Sequence, residues 1–243
     1  MAVIFHKLHS SGNDFIVLTG EENPNLEALQ NESFIKKICH RNFGIGADGI
    51  FFVTEEGNVR HFDSDGSESF CVNGSLCLAY LKKKFNFIPE SFSLKRVRVK
   101  IERSDKPSVS FLCNIKEKGY KTVEGVKGLF VDIGNPHFFV NGFNVDRKLA
   151  KTLRNSGEFK EGANISFFEH IDDDTVKIAT FERGVEDFTL ACGSACAAFC
   201  AGFERKNVSF IPLSGIGIKV LFDGKSLFIE GEVEYVAKGN YFI

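Results

Sequence analysis

The chain has 243 residues, of which 43% are apolar and 26% charged, with a formal net charge of −2. That composition suits a globular protein with a sizeable core, as one large domain or two of about 100–150 residues. No basic stripe dominates, which argues against nucleic acid as a partner, and the short basic runs at 82–84 and 95–98 read as solvated faces. No apolar run approaches the roughly 18–20 residues a membrane span needs, so no membrane partner is expected. Residues 1–7 lack the apolar core and cleavage site of a signal peptide, and a cytoplasmic location is expected. Seven cysteines are an odd number without the dense spacing of a secreted disulfide scaffold, so thiol reactivity becomes the question.

Taken in order, residues 3–8 and 15–18 read as strands around a turn that contains Gly12, Asn13 and Asp14. Leu26, Leu29, Phe34, Ile35 and Ile38 suit one face of a helix over about 26–39. Residues 44–49 form a Gly-rich loop; it lacks the Lys-Ser/Thr of a phosphate loop and reads as turns. Strands follow at 50–53 and 59–62, then a turn over 63–67 and a helix from just after Cys71 to about 85. Residues 92–115 are strand-like, and 120–130 is Gly-rich, in the manner of a crossover between two halves. The segment Gly134-Asn135-Pro136-His137 precedes a strand at 138–140, and a helix is expected over about 146–155. Strands at 165–168 and 176–181 lead to Glu182-Arg183-Gly184, a second Cys motif at Cys192 and its helix. From 208 onward the pattern is strands separated by Gly215, Gly224 and Gly231.

The chain repeats itself. Gly12-Asn13-Asp14-Phe15 resembles the segment from Gly134 to Phe138, and Gly46-Ala47-Asp48-Gly49 resembles Gly162-Ala163-Asn164-Ile165. Phe62-Asp63 matches Phe181-Glu182, and Cys71 matches Cys192, 121 residues on. Four matches in one order at nearly one spacing predict two α/β halves, each a twisted, mainly antiparallel sheet around a central helix that starts just after a Cys. The expected domains are 1–115 with 232–243, and 116–231, with the active site in the cleft between them.

A helix start presents N–H donors and the positive end of its dipole, which favour a thiolate or a bound carboxylate. Two thiols flanking a chiral C–H carbon can racemise it: one as thiolate removes the proton, the other as thiol returns one to the opposite face. That chemistry needs no metal and no organic cofactor. The remaining cysteines, Cys39, Cys77, Cys113, Cys196 and Cys200, read as small buried apolar groups. Cys192, Cys196 and Cys200 share a helix face but lack the four-ligand framework of a structural zinc site, so no metal is expected. His137 reads as a hydrogen-bonded supporting residue, and Glu182-Arg183 alone would pass for a surface ion pair.

The motifs Ser11-Gly12-Asn13-Asp14-Phe15, Cys71-Val72-Asn73-Gly74, Gly134-Asn135-Pro136-His137, Phe181-Glu182-Arg183-Gly184 and Ala191-Cys192-Gly193-Ser194-Ala195 together resemble those of the diaminopimelate epimerase family. They span nearly the whole chain. The resemblance implies a cofactor-independent isomerase that interconverts LL- and meso-diaminopimelate for lysine and peptidoglycan synthesis, built as a homodimer, with the C-terminal strand returning to the first domain. It implies Cys71 and Cys192 as the acid/base pair. Asn73, Gly74, Gly193 and Ser194 would bind the reacting carboxylate through backbone N–H groups. Asn13, Asp63, Asn135, Asn164, Glu182 and Arg183 would read the amino groups and the far carboxylate, Arg183 through its two-pronged fork.

Three positions depart from the family pattern: Gly49 stands where Gln is usual, Asp63 where Asn is usual, and Val72 where Gly is usual. A carboxylate at Asp63 would repel a distal carboxylate or favour an ammonium. The acid/base pair is intact and the distal recognition shell is altered, so a broadened racemase that also takes glutamate is the alternative substrate reading. A thiol-redox protein or a non-catalytic amino-acid-binding protein is the alternative of another class. The first lacks a Cys-x-x-Cys motif, and the second would not need both cysteines.

Overall fold

The computed structural model describes residues 2–85, 88–143, 145–160 and 162–243; Met1, Asn86, Phe87, Asn144 and Glu161 lie outside the described residues. The strands run β1 (Ala2–Ser10), β2 (Asn13–Thr19), β3 (Gly49–Val53), β4 (Val59–Asp63), β5 (Ser91–Leu94), β6 (Val97–Arg103) and β7 (Ser108–Leu112). They continue as β8 (Glu117–Val123), β9 (Val126–Asp132), β10 (Pro136–Asn141), β11 (Asn164–His170), β12 (Thr175–Glu182) and β13 (Asp187–Phe188). The last four are β14 (Asn207–Ile211), β15 (Ile218–Phe222), β16 (Ser226–Gly231) and β17 (Val233–Phe242). The α-helices are α1 (Glu32–Cys39), α2 (Val72–Lys82), α3 (Arg147–Arg154) and α4 (Gly193–Phe203). The chain divides into two units, Met1–Phe111 with Gly231–Ile243, and Leu112–Glu230.

In the first unit the strands order β17-β1-β2-β3-β4, with β2 and β3 parallel and the other neighbours antiparallel. Strands β5, β6 and β7 form an antiparallel run in the same unit. Helix α2 packs on β1, β2 and β6. It has no polar face: Val72 through Ala79 and Leu81 are all buried, as a helix enclosed on every side requires. A second apolar cluster on the other side of this sheet joins Leu26, Ile35, Ile38, Ile50 and Phe52.

The second unit orders β16-β15-β14-β12-β11-β10-β9-β8 around α4, with β10–β11 and β12–β14 parallel. Helix α4 is also buried from Ala195 to Gly202. Phe199 is its anchor, with ring contacts to Phe139, Phe168 and Phe210 at 5.0–5.7 Å. Much of the chain's unusual phenylalanine content is spent on filling such layers. The mixed α/β, two-domain architecture expected from the repeat is the one observed.

Two local expectations need correction. The helix expected over 26–39 is two pieces, a 3-10 turn at Leu26–Leu29 and then α1. Asn31 divides them, because its side chain accepts from the Phe34 N–H at 3.0 Å and caps a new helix rather than continuing the old. The segment 120–130 is no crossover. It is a hairpin, β8 against β9, whose two-residue turn holds Glu124 and Gly125 at φ 50° and 77°, the mirror-image turn that matches strand twist. The sheets are mainly antiparallel, as expected, with β2–β3 parallel in the first unit and β10–β11 and β12–β14 parallel in the second. Among the described residues no helix is long and apolar enough to cross a membrane.

Candidate active site

In the first unit Cys71 is the N-cap of α2, with extended φ/ψ of −131° and 121°. Its sulfur accepts from the Gly74 N–H at 3.4 Å, and its carbonyl accepts from the Ser75 hydroxyl at 2.7 Å. Gly74 is required sterically as well, because a Cβ there would run into the Phe51 ring. The helix start therefore sits directly on β3, with its first N–H groups beside Cys71.

Asn13, at the start of β2, meets this helix start. Its Oδ1 accepts from Asn73 Nδ2 at 3.1 Å and lies 3.9 Å from Cys71 Sγ, while its Nδ2 donates to Asp48 Oδ2 at 2.6 Å. Thus Cys71, Asn13, Asn73 and Gly74 come together as one group. Asp63 ends β4 opposite Gly49. Its carboxyl accepts from Ser69 Oγ at 2.8 Å, and its backbone bonds to Ser67. Burial pushes this carboxyl up to about 6, and the Ser69 bond opposes the shift. A side chain at Gly49 would strike His61 Nε2, so the position that lacks a side chain is filled by that imidazole. His61 is buried, its ring lies tilted against Phe51 at 4.4 Å, and it is pushed down to about 4 by burial, so it is neutral.

In the second unit Cys192 is the N-cap of α4, at φ −127° and ψ 99°. Its Sγ lies 3.4 Å from Ser194 Oγ. Ser194 in turn receives Asn135 Nδ2 at 3.0 Å and faces His137 Nε2 at 3.1 Å. Asn164 Nδ2 donates to Asn135 Oδ1 at 3.0 Å, and Asn164 Oδ1 accepts from the Arg183 N–H at 2.8 Å. Glu182 accepts from Thr189 Oγ1 at 2.5 Å. The second unit therefore gathers Cys192, Gly193, Ser194, Asn135, Asn164, Glu182 and Arg183 around one helix start, with His137 joining them through Ser194.

The Cys192 thiol is raised overall despite its place at a helix start. Burial, and then the Glu182 charge, push it well up, while the Ser194 hydroxyl and the Ala195 N–H pull it back. Removing water outweighs these two hydrogen bonds at this position. His137 is pushed down to about 3, first by burial and then by the Arg183 charge. Among the described residues no group of three His, Cys, Asp or Glu side chains could hold a metal ion.

The family model described as diaminopimelate epimerase matches residues 129–215. A curated diaminopimelate epimerase from Aquifex aeolicus is 33% identical, over 97% of this chain and 96% of that protein. The chain belongs to the diaminopimelate epimerase family. A further member, from Archaeoglobus fulgidus, is 31% identical over 95% of this chain and 90% of its own. Membership makes the chain an isomerase of the amino-acid epimerase and racemase kind. The fold is shared more widely. A solved PhzF-family phenazine biosynthesis protein from Bacillus anthracis covers 100% of the chain with a TM-score of 0.71 at 13% identity. A hydroxyproline epimerase from Agrobacterium vitis covers 98% of it at 0.70 and 13%.

Sequence reasoning passed over Asp48 and Arg41. Arg41 NH2 lies 3.0 Å from Asp14 and 2.6 Å from Asp48, binding two carboxylates that the parallel starts of β2 and β3 place side by side. The repeat held the signal, since Asp48 stands where the second half has Asn164.

Proposed function

We propose that this chain interconverts LL- and meso-diaminopimelate by two-base proton transfer between Cys71 and Cys192, without a cofactor, as a cytoplasmic homodimer serving lysine and peptidoglycan synthesis. The observation that carries the reading is the equivalence of the two cysteines. Each is the N-cap of the buried central helix of its unit, and each is met by an asparagine at the start of a parallel strand pair or by that asparagine's serine partner.

In the forward step one thiolate takes the α-proton, and the C–H electron pair passes into the α-carbon and its carboxylate. The other thiol delivers its proton to the opposite face, and the two sulfurs end with their protonation states exchanged. N–H groups at the starts of α2 and α4, from Asn73, Gly74, Gly193 and Ser194, are suited to bind the reacting carboxylate as charge builds. One such donor is worth about 3–4 kcal/mol in other enzymes. Asn13, Asn135, Asn164, Glu182 and Arg183 would hold the amino groups and the far carboxylate, with Asp63 at the altered position. The test is chiral chromatography of reduced enzyme incubated with LL-diaminopimelate. The meso isomer should appear with wild type and not with Cys71→Ala or Cys192→Ala. Turnover retained by either variant would refute the two-thiol reading.

Asp63 favours a second, broader reading. A half-buried carboxyl raised to about 6, beside a position with no side chain, weakens selection for a distal carboxylate and distal amine. On this reading the same pair of thiols also racemises glutamate, and no glutamate turnover at any pH would dispose of it.

A further inference from the structure

Equivalent asparagines in the two units carry opposite hydrogen-bond polarity. The pairing of Phe15 with Gly49 in β2–β3 has its counterpart in Phe138 with Ile165 in β10–β11. The residues just before Gly49 and Ile165 are Asp48 and Asn164, so these two occupy one place in the repeat. Each bonds the matching asparagine, Asn13 or Asn135, with opposite polarity.

A carboxylate only accepts hydrogen bonds. Asp48, already bound by Arg41 at 2.6 Å, therefore takes the Nδ2 end of Asn13, also at 2.6 Å. The Oδ1 end of Asn13 is left to face Asn73 Nδ2 at 3.1 Å and Cys71 Sγ at 3.9 Å. A thiol fits this setting on both sides, since its S–H can donate to Asn13 while its sulfur accepts from the Gly74 N–H. A thiolate would confront a carbonyl oxygen.

In the second unit the Arg183 N–H binds Asn164 Oδ1, so Asn164 turns its Nδ2 to Asn135 Oδ1. Asn135 must then offer its own Nδ2 to Ser194 Oγ. His137 reinforces this direction. Among the described residues its Nδ1 is buried with no hydrogen-bond partner, and a stranded lone pair costs less than a stranded N–H. The ring hydrogen therefore sits on Nε2 and is donated to Ser194 Oγ at 3.1 Å. Ser194 Oγ thus accepts twice, and its single hydrogen is free to be donated to Cys192 Sγ at 3.4 Å. The charged and titratable groups acting on Cys192 include Glu182 and Cys196, both opposing its ionisation. Around Cys71 the neighbours include Cys77, whose own thiol is raised by burial and by Cys71 and Asp14.

We infer that Asp48 and Asn164 are positioning residues that break the symmetry of the two thiols. Asp48, held by Arg41, presents an acceptor to Cys71 and keeps it protonated at rest. Asn164, held by the Arg183 backbone, presents a donor through Asn135 and Ser194 and eases ionisation of Cys192 against the burial and the Glu182 charge that oppose it. This rests on the reading that the two cysteines are the acid/base pair, and it assigns them unequal surroundings for ionisation.

Swapping the two residues tests it. The probe is the full-length reduced protein carrying 13Cβ-labelled cysteine, titrated by NMR, with Cys71 and Cys192 assigned from Cys71→Ser and Cys192→Ser spectra. In Asp48→Asn, Arg41 claims the new Oδ1, the new Nδ2 turns toward Asn13, and the Asn13 amide turns its Nδ2 to the sulfur. The Cys71 midpoint should fall by about one unit, with Cys192 unmoved. In Asn164→Asp the polarity reverses, and the Cys192 midpoint should rise by a similar amount, with Cys71 unmoved. Circular dichroism identifies a variant that has lost its fold, and the other swap then decides. A folded variant whose own midpoint stands still, or moves the other way, overturns the inference. Because the midpoints are read without substrate, a failure here is distinct from a failure of the epimerase reading, which is judged on diaminopimelate turnover.

Discussion

At the scale of single residues, small differences in side chain set what each thiol meets. Gly74 lets α2 begin against Phe51, and Gly74→Ala should cost about 1–3 kcal/mol in urea unfolding, because the added methyl overlaps a ring that is itself packed. An unchanged unfolding midpoint would show that Phe51 yields freely. Asp63 carries a pH signature. Its folded value of about 6 lies above the ordinary carboxylate range, so the folded chain binds this proton more tightly than the unfolded one. Its contribution to stability is present below about pH 4 and is lost as pH rises through about 6. Asp63→Asn should flatten stability across that window, and at pH 8 it should lower the KM for diaminopimelate by removing a like charge. A KM that stays put would place Asp63 away from the distal carboxylate. The sequence made Cys71, Cys192 and their helix-start positions legible, because a repeated Cys before a run of small residues is a strong pattern. The direction of the Asn13 and Asn135 amides was not legible, since it depends on Arg41, Asp48 and a backbone N–H brought in by folding.

At the scale of elements, α2 and α4 carry their cysteines into place because they are apolar on every face. Phe199→Ala should destabilise the protein by about 3–5 kcal/mol, since the removed ring contacts Phe139, Phe168, Phe203 and Phe210 and leaves a cavity. A loss below 1 kcal/mol in equilibrium unfolding would mean that the layer collapses around the gap. Each unit also buries a neutral histidine near its site, His61 at about 4 and His137 at about 3. Folded values lowered in this way contribute stability that is full above about pH 6.5 and is lost as pH falls toward 3–4. His61→Gln and His137→Gln should each make the acid limb of the stability–pH curve shallower. An acid limb identical to wild type would mean that neither ring is buried uncharged. Periodicity identified the strand and helix types well. It mistook the turn at Glu124 and Gly125 for a crossover and ran through the cap at Asn31, because both are decided by one or two backbone conformations rather than by a pattern.

At the scale of the whole molecule, one chain holds two versions of the same α/β unit, and the family to which it belongs was readable from the ordered motifs. The repeat made the common plan plain. The differences between its halves, Asp48 against Asn164 and Asp63 against Glu182, are where the chemistry departs from symmetry. The most direct measurement is the fate of solvent deuterium at early times, with LL-diaminopimelate and reduced enzyme in heavy water. If one thiol removes the α-proton and the other supplies its replacement, deuterium enters the meso product while the recovered LL-substrate stays protiated. Cys71→Ala and Cys192→Ala should each form no meso product. Deuterium appearing equally in recovered substrate and product would mean that a single base serves both faces, and the account of two opposed thiols would be wrong.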